Sequence, residues 1–369
     1  MASYEIYLRD PFGNLQTVIR SFTRLEYARK ENEIGVLRLT LPRSDAERYF
    51  VKDARIEVWR TIGSKTYLEA GAVWFLRTWT LSRENGGQVW ELEAFDGVYI
   101  LSGRHVDYYA ETAFTSKTAA IDGMITEIVR ENFGTGVASP SPVARSIAPY
   151  LSIPATNPTL APSTSKKFSR RIVLDVIQEL AEESYQRGTY LAFDITYQSP
   201  TVLEFGTYIG ARGINRGRTS GNQVVVNEAR GSLVNARLTY DYSKEINHVV
   251  VGGSGTETDR VMYGIVDQPR IDESPFSRRE QFVNSVQSGT STAALQSEAR
   301  AALNMGRPKI LLTGEVQDTS GLIYGIDYQF GDIVVAEHEG YAFDAHIDRV
   351  HVTVTKDGEV LDNRVRGSI

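Results

Sequence analysis

The chain has 369 residues, 41% hydrophobic and 10% aromatic, with 46 acidic against 40 basic side chains and a formal charge of −6. That length exceeds what one core ordinarily serves, so roughly two to four domains are expected, and the mild acidity argues against a non-specific nucleic-acid binder. No cysteine is present, which removes disulfides, thiolate metal sites and cysteine nucleophiles and suits folding in a reducing cytoplasm.

The opening "MASYEIYLRDPFGN" carries Glu5 and Arg9 and no long apolar core, so it does not read as a signal peptide. Nowhere do about 18 apolar residues run together, and no stable membrane insertion is expected. Residues 1–100 read as strands. "ARIEVWR" alternates, with Ile56 and Val58 on one side and Arg55 and Glu57 on the other. "AVWFLRTWTLSRENGGQVWELEAF" is two β-rich runs around Asn85-Gly86-Gly87, residues that tolerate the positive φ of a tight hairpin.

Past about residue 110 the period changes. "TSKTAAIDGMITEIVRENFG" sets Ile121, Met124, Ile125, Ile128 and Val129 on one helical stripe, with Gly134 as a left-handed stop. "SRRIVLDVIQELAEESYQRG" repeats the pattern with Val173, Val176, Ile177, Leu180 and Ala181, ending at Gly188. The segment 135–168 between them holds six of the 12 prolines and reads as a long extended surface loop. Two strands follow about a Gln-Ser-Pro turn in "TYLAFDITYQSPTVLEF". The chain is β-rich again through "NARLTYDYSKEINHVVVGGSG". A third helix, "TAALQSEARAALNMG", is ended by Gly306 and Pro308. The last strands lie in "YQFGDIVVAEHEGYAFDAHIDRVHVTVTKDGEVLDNRV".

Residues 75–86 can be laid over 347–358 without a gap. Phe75 then meets Ile347, Arg77 meets Arg349, Trp79 meets His351, and Asn85-Gly86 meets Asp357-Gly358. A duplicated β module is the expectation.

Signals for chemistry are weak. Gly252-Gly253-x-Gly255 follows a strand, but "TETDRVMYGIV" after it offers no helix N-terminus to face a phosphate. Asp344, His346 and Asp348 share one strand face, and with His338 and His351 they could be read as metal ligands. His351 has the wrong parity unless a bulge intervenes, and a solvated strand face shows the same alternation. Arg212, Arg216 and Arg218 in "GARGINRGRTSG" read as a solvated basic loop or a contact to an acidic partner. No nucleophile elbow or triad context is present. No catalytic, cofactor-binding or metal-ligating residue is therefore assigned, and no enzyme is expected.

Several stretches together resemble the tail-hub, or baseplate-hub, proteins of long-tailed bacteriophages. They are "FTRLEYARKENEIGVLRLTLP" with "DARIEVWR", "NEARGSLVNARLTYDYSKEINHVVVGGSGTETDR", "SPFSRREQFVNS", "ALQSEARAALNMG", and the Gly331-Asp332 strand entry in "YQFGDIVVAEHEGYAFDAHIDRV". The segment 135–168 has no match there. The resemblance implies a mainly β fold: a first tube-type β-barrel over 1–100, a lateral α+β domain over 101–210, and a second barrel over 211–369. The second barrel is expected to carry an insert around 256–290 and a helix around 292–305.

The resemblance further implies a homotrimer at the distal end of the tail, assembled in the host cytoplasm. Its ring would adapt the sixfold tube or distal tail ring to a threefold tip, beside the tape measure and receptor-binding proteins. Viral DNA would pass the lumen without specific binding, along a wall that is polar or acidic and free of clustered Lys and Arg. Asp344, His346 and Asp348 are the candidate portion of that wall. The chain ends at Ile369 with no fibre or lysin extension, so tip activity is expected on another protein. A carbohydrate-binding β protein and a cell-wall hydrolase are the alternatives.

Overall fold

In a computed structural model of the chain, the described residues are 2–84, 87–107, 112–134, 145–255, 257–284 and 291–368. Period-two hydrophobicity builds seven strands at the start: β1 (Ser3–Arg9), β2 (Leu15–Ile19), β3 (Arg24–Lys30), β4 (Val36–Pro42), β5 (Arg55–Ile62), β6 (Lys65–Glu84) and β7 (Gly87–Phe95). Their inward rows, such as Ile6 and Leu8, Leu25 and Tyr27, Leu37, Leu39 and Leu41, and Trp74 and Leu76, are buried.

The single-turn helix α1 (Tyr99–Ser102) leads into an α+β layer. It comprises β8 (Thr115–Ala120), α2 (Ile121–Phe133), β9 (Leu151–Ser152), β10 (Ser163–Phe168), α3 (Val173–Gln186), β11 (Leu191–Tyr197) and β12 (Leu203–Ile209). The stripes of α2 and α3 close a second core with Leu191, Phe193 and Phe205. Gly188 stops α3 at φ +88 as expected. Gly134 does not adopt the left-handed conformation (φ −85). It is needed because a Cβ there would sit 2.7 Å from the Arg130 carbonyl oxygen.

The proline-rich segment is less loop-like than its composition suggests. β9 pairs with β12 and β10 pairs with β8, while Leu151, Ala161 and Phe168 enter the second core. Its residues 135–144 lie outside the described residues.

Then follow β13 (Val225–Asn227), β14 (Leu233–Asp241), β15 (His248–Gly252), β16 (Met262–Val266), α4 (Gln268–Asp272), β17 (Glu280–Asn284), α5 (Thr292–Met305), β18 (Lys309–Val316), β19 (Ile333–His338), β20 (Tyr341–Thr355), β21 (Gly358–Leu361) and β22 (Asn363–Ser368). β15, β16 and β17 form their own small sheet, on which α5 packs through Leu295 and Ala299. The insert therefore begins before residue 256, since Ile246, Val249 and Val251 already belong to its core.

The remaining strands join one 14-stranded sheet ordered β14, β18, β22, β20, β3, β4, β7, β6, β5, β1, β2, with β13, β19 and β21 alongside. The chain is mainly β with an α+β insertion. Among the described residues neither half closes on itself into a barrel; both halves share one core.

The two halves repeat. In the first, Phe75 faces Phe95, Leu76 faces Ala94, and Thr78 faces Glu93, with Arg77 as the extra residue of a bulge. In the second, His346 faces Arg366, Ile347 faces Val365, and Arg349 faces Arg364, with Asp348 extra. The hairpin pairs Glu84 with Gly87 in one half and Thr355 with Gly358 in the other. Leu76 thus matches Ile347, one residue away from the ungapped alignment of the sequence, in which Phe75 met Ile347.

The strand entry repeats as well. Asp53 (φ +63) and Gly331 (φ +87) take the same left-handed turn. Asp53 N donates to the Leu76 carbonyl and Gly331 N to that of Ile347. The hairpin residues Asn85 and Gly86 themselves lie outside the described residues.

Candidate functional site

The eight strands β14, β18, β22, β20, β3, β4, β7 and β6 turn one face to the core and the other outward. On the outward face Thr78, Glu93, Arg38, Glu26 and Thr353 stand side by side across five strands. Opposite charges alternate there, which favours cross-strand pairing. Arg38 reaches Glu93 at 3.2 Å, Arg24 reaches Glu26 at 2.7 Å, and Arg364 reaches Asp348 at 2.7 Å. This face is a mosaic of ion pairs; the resemblance had implied a polar or acidic wall free of clustered Lys and Arg.

Buried arginines lock the layers together. Arg29, 2% exposed, donates to Asp96 (2.9 Å), Asp194 (2.6 Å) and the Ala70 carbonyl (2.7 Å). Arg212 donates to Asp194 and the same carbonyl, and both guanidiniums lie over the Phe330 ring at 5.1 and 5.0 Å. Burial works against the Asp194 carboxylate, but Arg29 and Arg212 outweigh it and hold its pKa below the ordinary value. At Asp96 burial prevails over Arg29 and the pKa is raised. Arg60, 1% exposed, ties the halves by donating to Glu359 (2.6 Å), Tyr67 (2.6 Å) and the Tyr324 carbonyl (2.9 Å).

These contacts correct the reading of "GARGINRGRTSG". Arg212 and Arg216 are not solvated, because they are tucked against Asp194 and Asp332 of the same chain, whereas Arg218, 53% exposed, stays at the surface beside Asp344. Asp332 of the Gly-Asp entry also accepts from the Ile214 and Gln329 amides. A Cβ at Gly213 would fall 2.2 Å from its carboxylate.

A cleft of about 840 Å³ opens between α3, the end of β3, β20 and the segment after α5. At its wall the Tyr190 hydroxyl donates to Glu31, and the Tyr190 ring lies 4.0 Å from that of His346. Burial pushes the Glu31 carboxyl up to about 7, against the Tyr190 hydrogen bond. Burial likewise pushes the His346 imidazole down to about 4.

The residues that could be read as metal ligands do not converge. His338 sits with Glu228 and Glu339 at the surface, His346 lies in the cleft, and His351 Nε2 is 3.2 Å from Glu26. Asp344 faces Arg218 and Asp348 faces Arg364, so the three residues expected to line a bore instead border the cleft against the chain's own helix layer. The glycines at 252–255 carry the chain into a hairpin with β16, and Arg260 donates to the carbonyls of Gly252 and Gly253. Arg29, Arg60, Glu31 and Tyr190 were not legible in the sequence. Their partners lie up to hundreds of residues away, and only the charged residues that continue an inward row, Arg29 and Glu31 after Leu25 and Tyr27 and Arg60 after Ile56 and Val58, gave any sign.

The family model described as Siphovirus ReqiPepy6 Gp37-like protein matches residues 5–365. No curated protein sequence matches the chain. Among solved structures, the 43 kDa tail protein of prophage MuSo2 from Shewanella oneidensis is similar with a TM-score of 0.54 and 11% identity, over 100% of this chain and 98% of that one. The tail protein from Neisseria meningitidis MC58 is similar with a TM-score of 0.51 and 11% identity, over 99% and 96%. Prophage tail protein gp18 from Listeria monocytogenes EGD-e is similar with a TM-score of 0.51 and 13% identity, over 99% and 94%. At these identities the likeness concerns the fold.

Proposed function

The chain belongs to the Siphovirus ReqiPepy6 Gp37-like family of bacteriophage tail proteins, and on that premise we propose that it is a structural tail-hub protein. Three copies form a ring at the distal end of the tail, between a sixfold tube or distal tail ring and a threefold tip. The observation that carries this reading is the internal repeat. Two halves with matching pairing registers and matching left-handed entries let three chains present six quasi-equivalent faces.

The two halves act as tube-type modules, the α+β layer and the β15–α5 insert lie to the side, and paired cations of the outward sheet face support a passive channel. Arg24 and Arg38 are each held by a carboxylate, which weakens their grip on the phosphates of DNA moving past, while the exposed Arg237 of β14 has no ion pair among the described residues. The role is non-enzymatic, with the tape measure and receptor-binding proteins as further neighbours. Native mass spectrometry of the purified chain tests the reading. Three times the 41.1 kDa chain mass is expected. A monomer that binds glycans or turns over peptidoglycan would overturn it.

A further inference from the structure

Resting on the ring reading, we infer that β6 of one copy pairs antiparallel with β14 of the next, in the register by which β20 pairs with β3 inside the chain. Beyond Leu76, β6 has β7 on one side and no strand on its other side among the described residues. Its counterpart in the second half, the end of β20, is filled there by β3, from Arg349 opposite Lys30 to Thr355 opposite Arg24. The counterpart of β3 is β14, which ends the sheet and pairs only with β18. Leu25 faces Leu39 in β4, and Leu233 correspondingly faces Val316 in β18, so the register carries over at Leu233 and Val234, ahead of the bulge that β14 makes before Arg237. Each bare edge is therefore the repeat equivalent of one member of a pairing the chain already makes.

The side chains agree with this. Val352 is fully buried where β20 meets β3, whereas Leu81 at the equivalent place on β6 is 40% exposed. Trp79, Ala236 and Leu238 are only partly buried against the main core. A long strand edge of this character is a template for another chain, and pairing would bury its apolar row. Carrying the register across places Ser82 opposite Val234, as Thr353 stands opposite Glu26.

The chain lacks cysteine, so a Ser82→Cys, Val234→Cys variant has only the introduced thiols. Seven strand spacings of about 4.8 Å separate β6 from β14 along the sheet, too far for a disulfide within one copy. Oxidation is expected to convert the monomer band on a denaturing gel to covalent species up to a trimer. A Thr80→Cys, Val234→Cys variant, two residues out of register, should leave the monomer band. If the native mass is trimeric but only the shifted pair links, or neither does, the inference falls while the ring stands. If the native mass is that of one chain, both fall.

Discussion

Replacing Glu31 by Gln should tilt the pH dependence of stability, because two buried groups in the cleft now oppose each other. The Glu31 carboxyl is raised from 4.5 to about 7. Its protonated form is favoured in the fold, so the stability it contributes is full below pH 4.5 and is lost as pH rises through 7. A displacement of this size corresponds to about 3 kcal/mol. His346 is lowered from 6.5 to about 4. Its contribution is full above pH 6.5 and is lost as pH falls through 4, again by about 3 kcal/mol.

Between those limits the two slopes largely cancel, with Asp344, Asp348, Arg366, Arg212 and Asp194 as the charged groups facing the pair. Glu31→Gln keeps an oxygen to accept from Tyr190 and removes one slope. Denaturant unfolding followed by tryptophan fluorescence should show the variant gaining about 3 kcal/mol on the parent between pH 4.5 and 7.5. It should also leave the variant's own stability falling toward pH 4. Parallel curves for parent and variant over that range would refute the reasoning.

Arg29→Met leaves Asp96 and Asp194 buried with less compensation and is expected to cost about 3–5 kcal/mol, read by thermal unfolding. Gly331→Ala forces a left-handed φ on a residue whose Cβ would lie 2.9 Å from that of Arg212, and should cost about 1–3 kcal/mol. Asp53→Gly, at the equivalent turn in the first half, relieves a left-handed φ but gives up the Asp53–Arg77 ion pair, and should stay within about 1 kcal/mol in a denaturant assay.

Much of the fold was legible because its signals are local. The stripe from Ile121 to Val129, the Gly188 stop and the alternation of β5 each depend on neighbours a few residues away. The repeat was visible but misplaced by one residue. A β-bulge adds a residue without a hydrophobic signature, and Arg77 and Asp348 both look like ordinary polar positions. The insert was drawn too short because "HVVVGG" reads as a strand without saying which sheet it joins. Arg212 and Arg216 looked solvated because nothing nearby announces Asp194 or Asp332 as partners. Long-range ion pairs of this kind are fixed by packing and leave little periodic trace.

The most direct test of the central claim is an electron cryomicroscopy reconstruction of the tail tip in an intact particle. Three copies of the chain in one ring, with β6 of each against β14 of the next and the row from Thr78 to Thr353 facing the bore, is the predicted result. A tip in which the chain is absent, is present in another copy number, or turns the 14-stranded sheet away from the channel would contradict it.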